Sequence, residues 1–247
     1  MAGPRPQISV VVPCFQEEES LPLLARSLGP WLEELGAELV LVDDGSTDGT
    51  AAAGRRLFPR ARHLRHPANR GLGAALRTGS LAARGDLIAW LDADASYDPA
   101  LLPRMRNLLE ESGAAAVTLS PWHPRGTSTG LSPLRAAPSR VLSRLYRLLA
   151  PGRLWTYTAM VRIHRREALL PALPGRDGFP GVTESLLRIL VGGGRVVELP
   201  ATLETRRRGR SKLAFWPVLA GHLELLTALA LGRLEKPAPE SRADREG

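Results

Sequence analysis

The amino-acid sequence predicts an α/β fold in which helices cover both faces of a mostly parallel central sheet. Short apolar runs alternate with segments of helical spacing throughout residues 8–120, as strands and helices do in such folds. Apart from a weak third run, each is almost wholly apolar, which is typical of strands that are buried on both faces. Ligand sites in such sheets form beyond the carboxyl ends of the strands.

The first half of the chain supplies five such runs. The first predicted strand ends at Pro13, and the helix after it should break at Gly29 and Pro30, because an internal proline removes a helical hydrogen bond. In chain order, the other predicted elements are a strand at 37–44, a helix at 46–57, a weak strand at 61–66, a helix at 70–85, a strand at 86–94, a helix at 98–112 and a strand at 113–120.

The pattern changes after Ser120. Segment 121–139 is rich in Pro, Gly, Ser and Thr and predicts a long mobile loop. The elements expected after it are a helix at 139–150, a strand at 154–165, a strand pair within 194–206, a helix that begins near Pro217 and a disordered polar tail at 236–247.

Acidic residues follow three of the predicted strands. Glu17 lies just beyond the first, Asp43 and Asp44 end the second, and Asp92 and Asp94 end the fourth. Because parallel strands end at the same edge of a sheet, these carboxylates should converge. Mg²⁺ and Mn²⁺ prefer carboxylate and phosphate oxygens, and they commonly join one or two carboxylates to a substrate diphosphate. We therefore predict a Mg²⁺ or Mn²⁺ site with Asp92 and Asp94 as its ligands.

Composition narrows the classes of partner. The formal net charge of +8 indicates anionic partners, namely a nucleotide, a phosphate, nucleic acid or a membrane surface. The acidic residues that should converge at the sheet edge argue against nucleic acid as the partner. The first strand is followed by acidic residues and lacks the G-x-G-x-x-G turn of dinucleotide-binding folds. The single cysteine, Cys14, excludes an internal disulfide and a multi-cysteine zinc site.

One cation stands out. Of the 33 lysine and arginine residues, only Lys212 and Lys236 are lysines. The run RRRGRSK around Lys212 has an ordinary interpretation as a solvated basic segment or a nucleic-acid patch. A compact ammonium among arginines is, however, a distinct phosphate ligand, and this favours a phosphate-binding role for Lys212.

Four sequence blocks together resemble a known family. ISVVVPCFQEEESL, LVLVDDGSTDGT, ANRGLGAALRTG and GDLIAWLDADASYDP are similar to the family-2 inverting glycosyltransferases of the GT-A fold, in the family order. The nearest group is the dolichol/polyprenol-phosphate mannosyl- and glucosyltransferases. RIHRREAL resembles that group's R-x-Y-R-[KR]-E-x-L, and RRRGRSKL resembles its R-x-x-G-x-S-K.

The resemblance implies an activity and a set of site residues. The enzyme would move a hexose from a GDP-mannose or UDP-glucose type donor to a polyprenol phosphate with inversion. It implies one catalytic domain at 1–235, with a nucleotide-binding half at 8–120 and an acceptor half at 121–235 that includes the C-terminal helix. The implied nucleotide-binding residues are Pro13, Phe15, Glu17, Asp44, Asp92 and Ser211, and the implied catalytic residues are Asp94, Arg135, Arg206 and Lys212.

Three positions depart from the family pattern. Ser96 stands where a glutamine or similar residue commonly follows the D-x-D, Pro121 replaces an arginine, and Thr156 replaces an acid. These changes leave two alternatives open, a catalytically weakened nucleotide-sugar-binding protein and a transferase with a non-lipid acceptor. A basic nucleic-acid-binding protein is a more distant alternative.

The sequence also predicts how the chain meets a membrane. The apolar stretch 213–232 contains His222 and Glu224, so we do not expect it to span a bilayer. A cytoplasmic location is expected because no signal peptide is visible. We expect peripheral contact with the cytoplasmic face through residues 206–226, where arginines precede an apolar helix.

Overall fold

The structure is a computed structural model that describes residues 6–94, 96–204 and 215–234. The strands are β1 (Ile8–Cys14), β2 (Glu38–Asp43), β3 (Arg62–Arg65), β4 (Leu87–Trp90), β5 (Ala116–Ser120), β6 (Thr127–Thr129), β7 (Arg162–Arg165), β8 (Val196–Pro200) and β9 (Thr202–Glu204). The helices are α1 (Leu21–Glu34), α2 (Thr50–Leu57), α3 (Leu72–Ala82), α4 (Leu101–Ser112), α5 (Pro133–Leu149), α6 (Arg166–Leu169), α7 (Pro180–Val191) and α8 (Phe215–Ala230), and a 3₁₀ turn covers Leu170–Ala172.

Seven strands form the central sheet in the order β3-β2-β1-β4-β7-β5-β8. Strand β7 is antiparallel to both of its neighbours, and every other pairing in this sheet is parallel. Strands β6 and β9 form a separate parallel pair. The predicted α/β fold with a mostly parallel sheet is confirmed, and the three strands followed by acids are adjacent in the sheet.

Alternate residues of the strands belong to two hydrophobic clusters on opposite faces of the sheet. Val10 and Val12 pack with residues of α1 and α4, whereas Val11 packs with residues of α3. Side chains alternate across a strand, so a strand that is apolar throughout contributes to both clusters. Helices therefore cover both faces, as predicted.

Helix α3 lies unusually close to its neighbours because of its glycines. A Cβ on Gly79 would lie 2.4 Å from the Val11 side chain, and a Cβ on Gly73 would lie 2.1 Å from the backbone oxygen of Arg176. The Ala74 N–H also donates to the Asp177 oxygen at 3.1 Å. Segment 174–178 thus packs directly on the first turn of α3, and this contact joins the two halves of the chain.

Two helix predictions are corrected. Helix α1 continues through Gly29 and Pro30. Residues on both sides of the proline, such as Leu28 and Leu32, pack against the same hydrophobic cluster, and this tertiary packing keeps the helix continuous. The predicted mobile loop at 121–139 was wrong, since it contains β6 and the start of α5. Ser132 caps α5 by accepting from the Arg135 N–H, and proline at the first helical position favours this start.

Two strand predictions are also corrected. Only the end of the predicted strand 154–165 is extended, as β7, because the preceding residues form turns. Strands β8 and β9 do not pair with each other: β8 pairs with β5 and β9 with β6. The tail at 236–247 lies outside the described residues, and the division of the domain at residue 120 stays a prediction.

Candidate active site

The loops after β1 and β2 are fastened together by hydrogen bonds. Gln16 has a left-handed backbone, with φ of 56°. Its backbone N–H donates to Ser46 Oγ at 2.9 Å, and its side-chain amide donates to Thr47 Oγ1 at 2.8 Å. The side-chain oxygen Oε1 of Gln16 accepts from the N–H groups of Thr47 and Asp48 at 3.2 and 3.0 Å. A strained conformation that is held from both sides is typical of functional loops.

The two acids after Gln16 extend this attachment. The Glu17 N–H donates to Thr50 Oγ1 at 2.8 Å, and Glu18 Oε2 accepts from the Gly49 N–H at 2.9 Å. Glu17 follows β1 at the carboxyl edge of the sheet, which we call the rim. It is only 6% exposed, so it is buried there and not surrounded by bulk solvent. The loops after β1 and β2 therefore form one preorganised unit around the predicted nucleotide residues.

Asp44 holds a third loop. Its Oδ1 accepts from His66 Nδ1 at 2.6 Å and from the Arg70 N–H at 3.0 Å, and its Oδ2 accepts from the Gly71 N–H at 2.7 Å. A carboxylate offers about four acceptor positions, so these three bonds leave little capacity. The described contacts make Asp44 an organiser of the turn that leads into α3.

Asp92 and Asp94 follow β4 at the same edge of the sheet, and both side chains are half-buried. Asp94 Oδ1 accepts from the Ser96 N–H at 2.9 Å and from Ser96 Oγ at 2.6 Å. The departure at Ser96 therefore fixes the orientation of Asp94.

The donor set at this edge limits how a metal could be held. Among the described residues, no group of three or more His, Cys, Asp or Glu side chains could hold a metal ion. Two carboxylates do fit Mg²⁺ or Mn²⁺ where a substrate diphosphate supplies further oxygens. Asp92 and Asp94 are thus suited to a cation that arrives with an anionic substrate.

Two buried groups lie behind these aspartates. Burial, and then the negative charge of Asp92, raise the pKa of the Tyr97 phenol, which therefore stays protonated. Arg162 is completely buried on β7, opposite Trp90 of β4. Burial lowers the pKa of Arg162 to about 9, so the guanidinium is still charged at neutral pH.

Arg162 is held by neutral partners. It donates to the backbone oxygens of Val182 at 2.5 Å and Tyr157 at 2.7 Å, and its Nε donates to Thr118 Oγ1 at 3.3 Å. Its charge also interacts electrostatically with the Tyr97 phenol, which in turn interacts with Asp92. Arg162 and Tyr97 were not predicted from the sequence, although an arginine inside the apolar stretch AMVRIH is a usable signal.

The edge of the second half carries hydroxyls and aromatic rings. Thr156 Oγ1 bonds to Ser120 Oγ at 2.8 Å and accepts from the Trp122 N–H at 3.3 Å. Glu198 accepts from the N–H groups of Trp155 and Thr156 at 2.8 and 2.9 Å. The departure at Thr156 thus supplies a hydroxyl that connects the loop after β5 to segment 154–157.

The structure separates the other predicted site residues. Arg135 lies in the first turn of α5 with an exposed side chain, and so it does not belong to a mobile loop. Arg206, Ser211 and Lys212 lie outside the described residues. Pro13 lies in β1 and Phe15 directly follows that strand, and both residues are half-buried. The roles assigned to all these residues remain proposals.

A cavity of about 50 Å³ opens between β1, β2 and α2, and Cys14, Asp43 and Thr50 contribute to its lining. This volume suits a few water molecules and is too small for a nucleoside. A nucleotide would therefore lie across the exposed rim above these strands.

Comparison with solved structures supports the fold. Glucosyl-3-phosphoglycerate synthase from Mycobacterium tuberculosis, in complex with Mn²⁺ and UDP-glucose, superposes with a TM-score of 0.66 and 22% identity, and the match covers 94% of this chain and 80% of that one. The complex of the same enzyme with Mg²⁺ and UDP gives a TM-score of 0.67 at 21% identity, with coverage of 94% and 80%. The GT-A fold is thereby confirmed.

Comparison with known sequences identifies the family. An uncharacterised glycosyltransferase of Mycobacterium tuberculosis is 34% identical over 84% of this chain and 89% of its own length. The polyprenol monophosphomannose synthase of Mycolicibacterium smegmatis is 30% identical over 85% of this chain and 82% of its own length. The family model described as glycosyl transferase family 2 matches residues 9–170. The chain therefore belongs to glycosyltransferase family 2.

Proposed function

We propose that this glycosyltransferase transfers a hexosyl group from a nucleoside diphosphate sugar to a polyprenol phosphate, with inversion at the anomeric carbon. The observation that carries the proposal is the pair Asp92 and Asp94 at the end of β4, next to the preorganised loops after β1 and β2. The choice of acceptor is supported by the relative that is named a polyprenol monophosphomannose synthase.

The donor would lie across the carboxyl ends of β1, β2 and β4. Pro13 and Phe15 are suited to contact the nucleoside, and the carboxylates of Glu17 and Asp44 to accept hydrogen bonds from its base or ribose. Asp44 has little acceptor capacity beyond its bonds to the turn at 66–71. Glu17 and Asp44 are both buried at this edge, so we propose that they shape the nucleoside site together.

Asp92 and Asp94 would hold a divalent cation together with oxygens of the donor diphosphate. Such a cation neutralises charge that accumulates on the departing diphosphate. Ser96 keeps Asp94 oriented towards this task.

The chemistry needs little help from a general base. An oxygen of the acceptor phosphate is already anionic near neutral pH, so it can attack the anomeric carbon directly. The new C1–O bond forms as the C1–O bond to the diphosphate breaks, and the nucleoside diphosphate leaves. Arg135, Arg206, Ser211 and Lys212 are proposed to bind the two phosphate groups, in keeping with the net charge of +8.

A second candidate acceptor is a small phosphorylated molecule. The fold neighbours are named as glucosyl-3-phosphoglycerate synthases, whose complexes contain phosphoglyceric acid. None of the helices in the described part of the chain is long and apolar enough to cross a membrane. For a lipid acceptor we propose peripheral contact with the cytoplasmic face of the membrane.

Donor binding and acceptor choice can be tested separately. Calorimetric titration of GDP-mannose and UDP-glucose, with Mn²⁺ or with a chelator, should show cation-dependent binding of one donor. Transfer from that labelled donor is then measured with polyprenyl phosphate and with phosphoglycerate. Product only with phosphoglycerate would replace the lipid acceptor by the soluble one. Binding without product would favour the catalytically weakened alternative raised by Ser96, Pro121 and Thr156.

A further inference from the structure

Helix α5 carries an apolar stripe on its outer face. Leu134, Pro138, Val141, Leu145 and Leu148 follow one another at intervals of four, three, four and three residues, so all five lie on one side of the helix. Leu134 and Leu148 are 84% and 81% exposed, and Val141 and Leu145 are 51% and 40% exposed. We call these five residues the outer stripe.

The outer stripe is not needed to attach α5 to the protein. The opposite side of the helix is buried through Leu142, Ser143 and Tyr146. The Tyr146 hydroxyl bonds to His222 of α8 at 3.0 Å, and its ring lies 5.6 Å from that of Tyr157. Exposed large apolar residues that form one continuous surface usually mark an interaction site.

The charged residues of α5 itself all have one sign. Helix α5 contains four arginines, at positions 135, 140, 144 and 147, and no acidic residue. Arg140 lies over the Trp122 ring at 4.5 Å from its centroid, and Arg147 lies over the Trp155 ring at 3.5 Å. Trp155 is 40% exposed. Arginine and tryptophan beside an apolar helix face are the residues of a membrane interface.

We infer that the outer stripe of α5 docks the protein on an anionic lipid bilayer. The apolar side chains would enter the headgroup region while the arginines contact lipid phosphates. A second copy that packed here around a two-fold axis would place arginines against arginines, which repel each other. This inference deepens the proposed lipid-linked function by naming the surface that brings the enzyme to its acceptor.

The surface differs from the segment predicted from the sequence, residues 206–226. In the described part of that segment, the exposed Leu223 is next to Glu224, which pairs with Arg176 at 3.3 Å. Helix α8 also packs against α5 through His222. Its acidic residue makes α8 a poorer match than α5 for an anionic surface.

Co-sedimentation of the full chain with vesicles tests the inference. Vesicles of phosphatidylcholine alone are compared with vesicles that contain phosphatidylglycerol, at low and high salt and without donor. We expect binding to the anionic vesicles at low salt. The double variant Leu145→Asp, Leu148→Asp should lower the partition coefficient at least tenfold, and Arg140→Ser with Arg144→Ser should remove most of its salt dependence.

Matched variants make the result decisive. Leu81→Asp changes a leucine that is 61% exposed on α3 and should bind like the wild type, whereas Leu223→Asp tests α8. Full binding by the Leu145→Asp, Leu148→Asp variant would overturn the inference, and so would loss of binding only in Leu223→Asp. A stable dimer that this double variant dissociates, without vesicle binding by the wild type, would replace the bilayer by a second copy. Donor titration without vesicles is independent of each outcome, so failure of docking and failure of the proposed transferase activity can be distinguished.

Discussion

The two halves of this glycosyltransferase use their polar residues in different ways. In the first half, Gln16 and Asp44 bond to neighbouring loops and Asp94 bonds to Ser96 of its own loop, and these bonds fix the edge of the sheet. In the second half, Arg140 and Arg147 stack on tryptophan rings beside a helix whose apolar outer face is exposed. The polar groups of the first half bond to one another, whereas the apolar face of α5 in the second half is exposed and can contact a partner.

This difference fits the proposed reaction, in which the rim binds a nucleotide sugar and the acceptor is a lipid phosphate. Electrostatic catalysis depends on groups that are already in position when charge develops, and the first half meets that requirement with short hydrogen bonds between loops. Docking on an extended acceptor or a membrane depends on exposed area and on charge of one sign, and α5 provides both. We therefore expect substitutions at the rim to lower the rate of transfer and substitutions on α5 to weaken binding to vesicles.

Asp94→Asn should have the largest effect on activity. The amide oxygen of asparagine can still accept from Ser96, so the loop should keep its shape, whereas a ligand charge for the cation is lost. We expect kcat/KM to fall by about 100-fold or more with an unchanged Tm. Steady-state transfer at several Mn²⁺ concentrations, together with thermal unfolding, provides the measurement.

Asp98→Asn is the matched control. Asp98 is exposed, and its Oδ1 accepts only a local bond from the Ala100 N–H at 2.9 Å. The same chemical change four residues away should leave kcat/KM within about twofold, as for ordinary surface substitutions. Equal losses in the two variants, or full activity of the unsubstituted protein in excess chelator, would contradict the assignment of Asp94 to the metal site.

The sequence predicted the sheet and its acidic edge for a physical reason. Buried parallel strands are apolar almost throughout. Acidic residues directly after such a strand have few structural roles, so Asp92 and Asp94 could be recognised as site residues from the sequence. The same reasoning could not find Gln16 or His66. Their partners, such as Ser46 and Asp44, come from other loops, and polar residues in loops look alike until the loops are brought together.

The second half was predicted less well, because its helix start and its short strands depend on single residues and on tertiary contacts and not on a periodic pattern. Segment 121–139 looks like a loop by composition, but Ser132 caps a helix and Pro133 occupies the one helical position where proline is favourable. Strand β9 is three residues long and pairs with β6, which is equally short. Strands of that length carry no periodicity, and their pairing is set by the surrounding structure.

Gly73→Ala tests whether the two halves are held in one fixed arrangement. An added Cβ would lie 2.1 Å from the backbone oxygen of Arg176, which cannot move away as a flexible side chain could. We expect a loss of about 2–3 kcal/mol in the free energy of unfolding, at the upper end for overpacking. Urea unfolding monitored by circular dichroism measures it.

Gly29→Ala supplies the control for this substitution. A Cβ at Gly29 meets nothing within 4 Å, and the residue lies inside helix α1. The helix propensity of alanine favours this substitution by about 0.5–1 kcal/mol, whereas the ring of Pro30 disfavours helical backbone at the residue before it. The free energy of unfolding should therefore change by less than about 1 kcal/mol. If Gly73→Ala were as harmless as Gly29→Ala, segment 174–178 would not be packed on α3 as the structure has it.

His164 makes the shared sheet sensitive to acid. Burial, followed by the charge of Arg162, lowers the pKa of His164 to about 3, against an ordinary value of 6.5. Below pH 6.5 the unfolded chain therefore binds a proton that the native state does not, and stability falls as the pH falls towards 3. Each pH unit removes about 1.4 kcal/mol, which gives about 2 kcal/mol between pH 6.5 and pH 5. Urea unfolding at the two pH values should show a smaller loss in His164→Asn, and an identical loss in the variant would refute this origin.

Lys212→Ala should have a smaller effect, and it separates the two uses of positive charge in the second half. The arginines of α5 are proposed to meet a surface, where one charge among several contributes little, whereas Lys212 is proposed to contact a single phosphate. We expect kcat/KM to fall about tenfold, the equivalent of about 1.4 kcal/mol, with no shift in Tm and no change in vesicle binding. Arg208→Ala removes a charge from the same run outside the pattern R-x-x-G-x-S-K and should retain at least half of the activity. If both substitutions lower activity equally and the loss disappears at high salt, the run acts only through its net charge, and Lys212 has no separate role in binding phosphate.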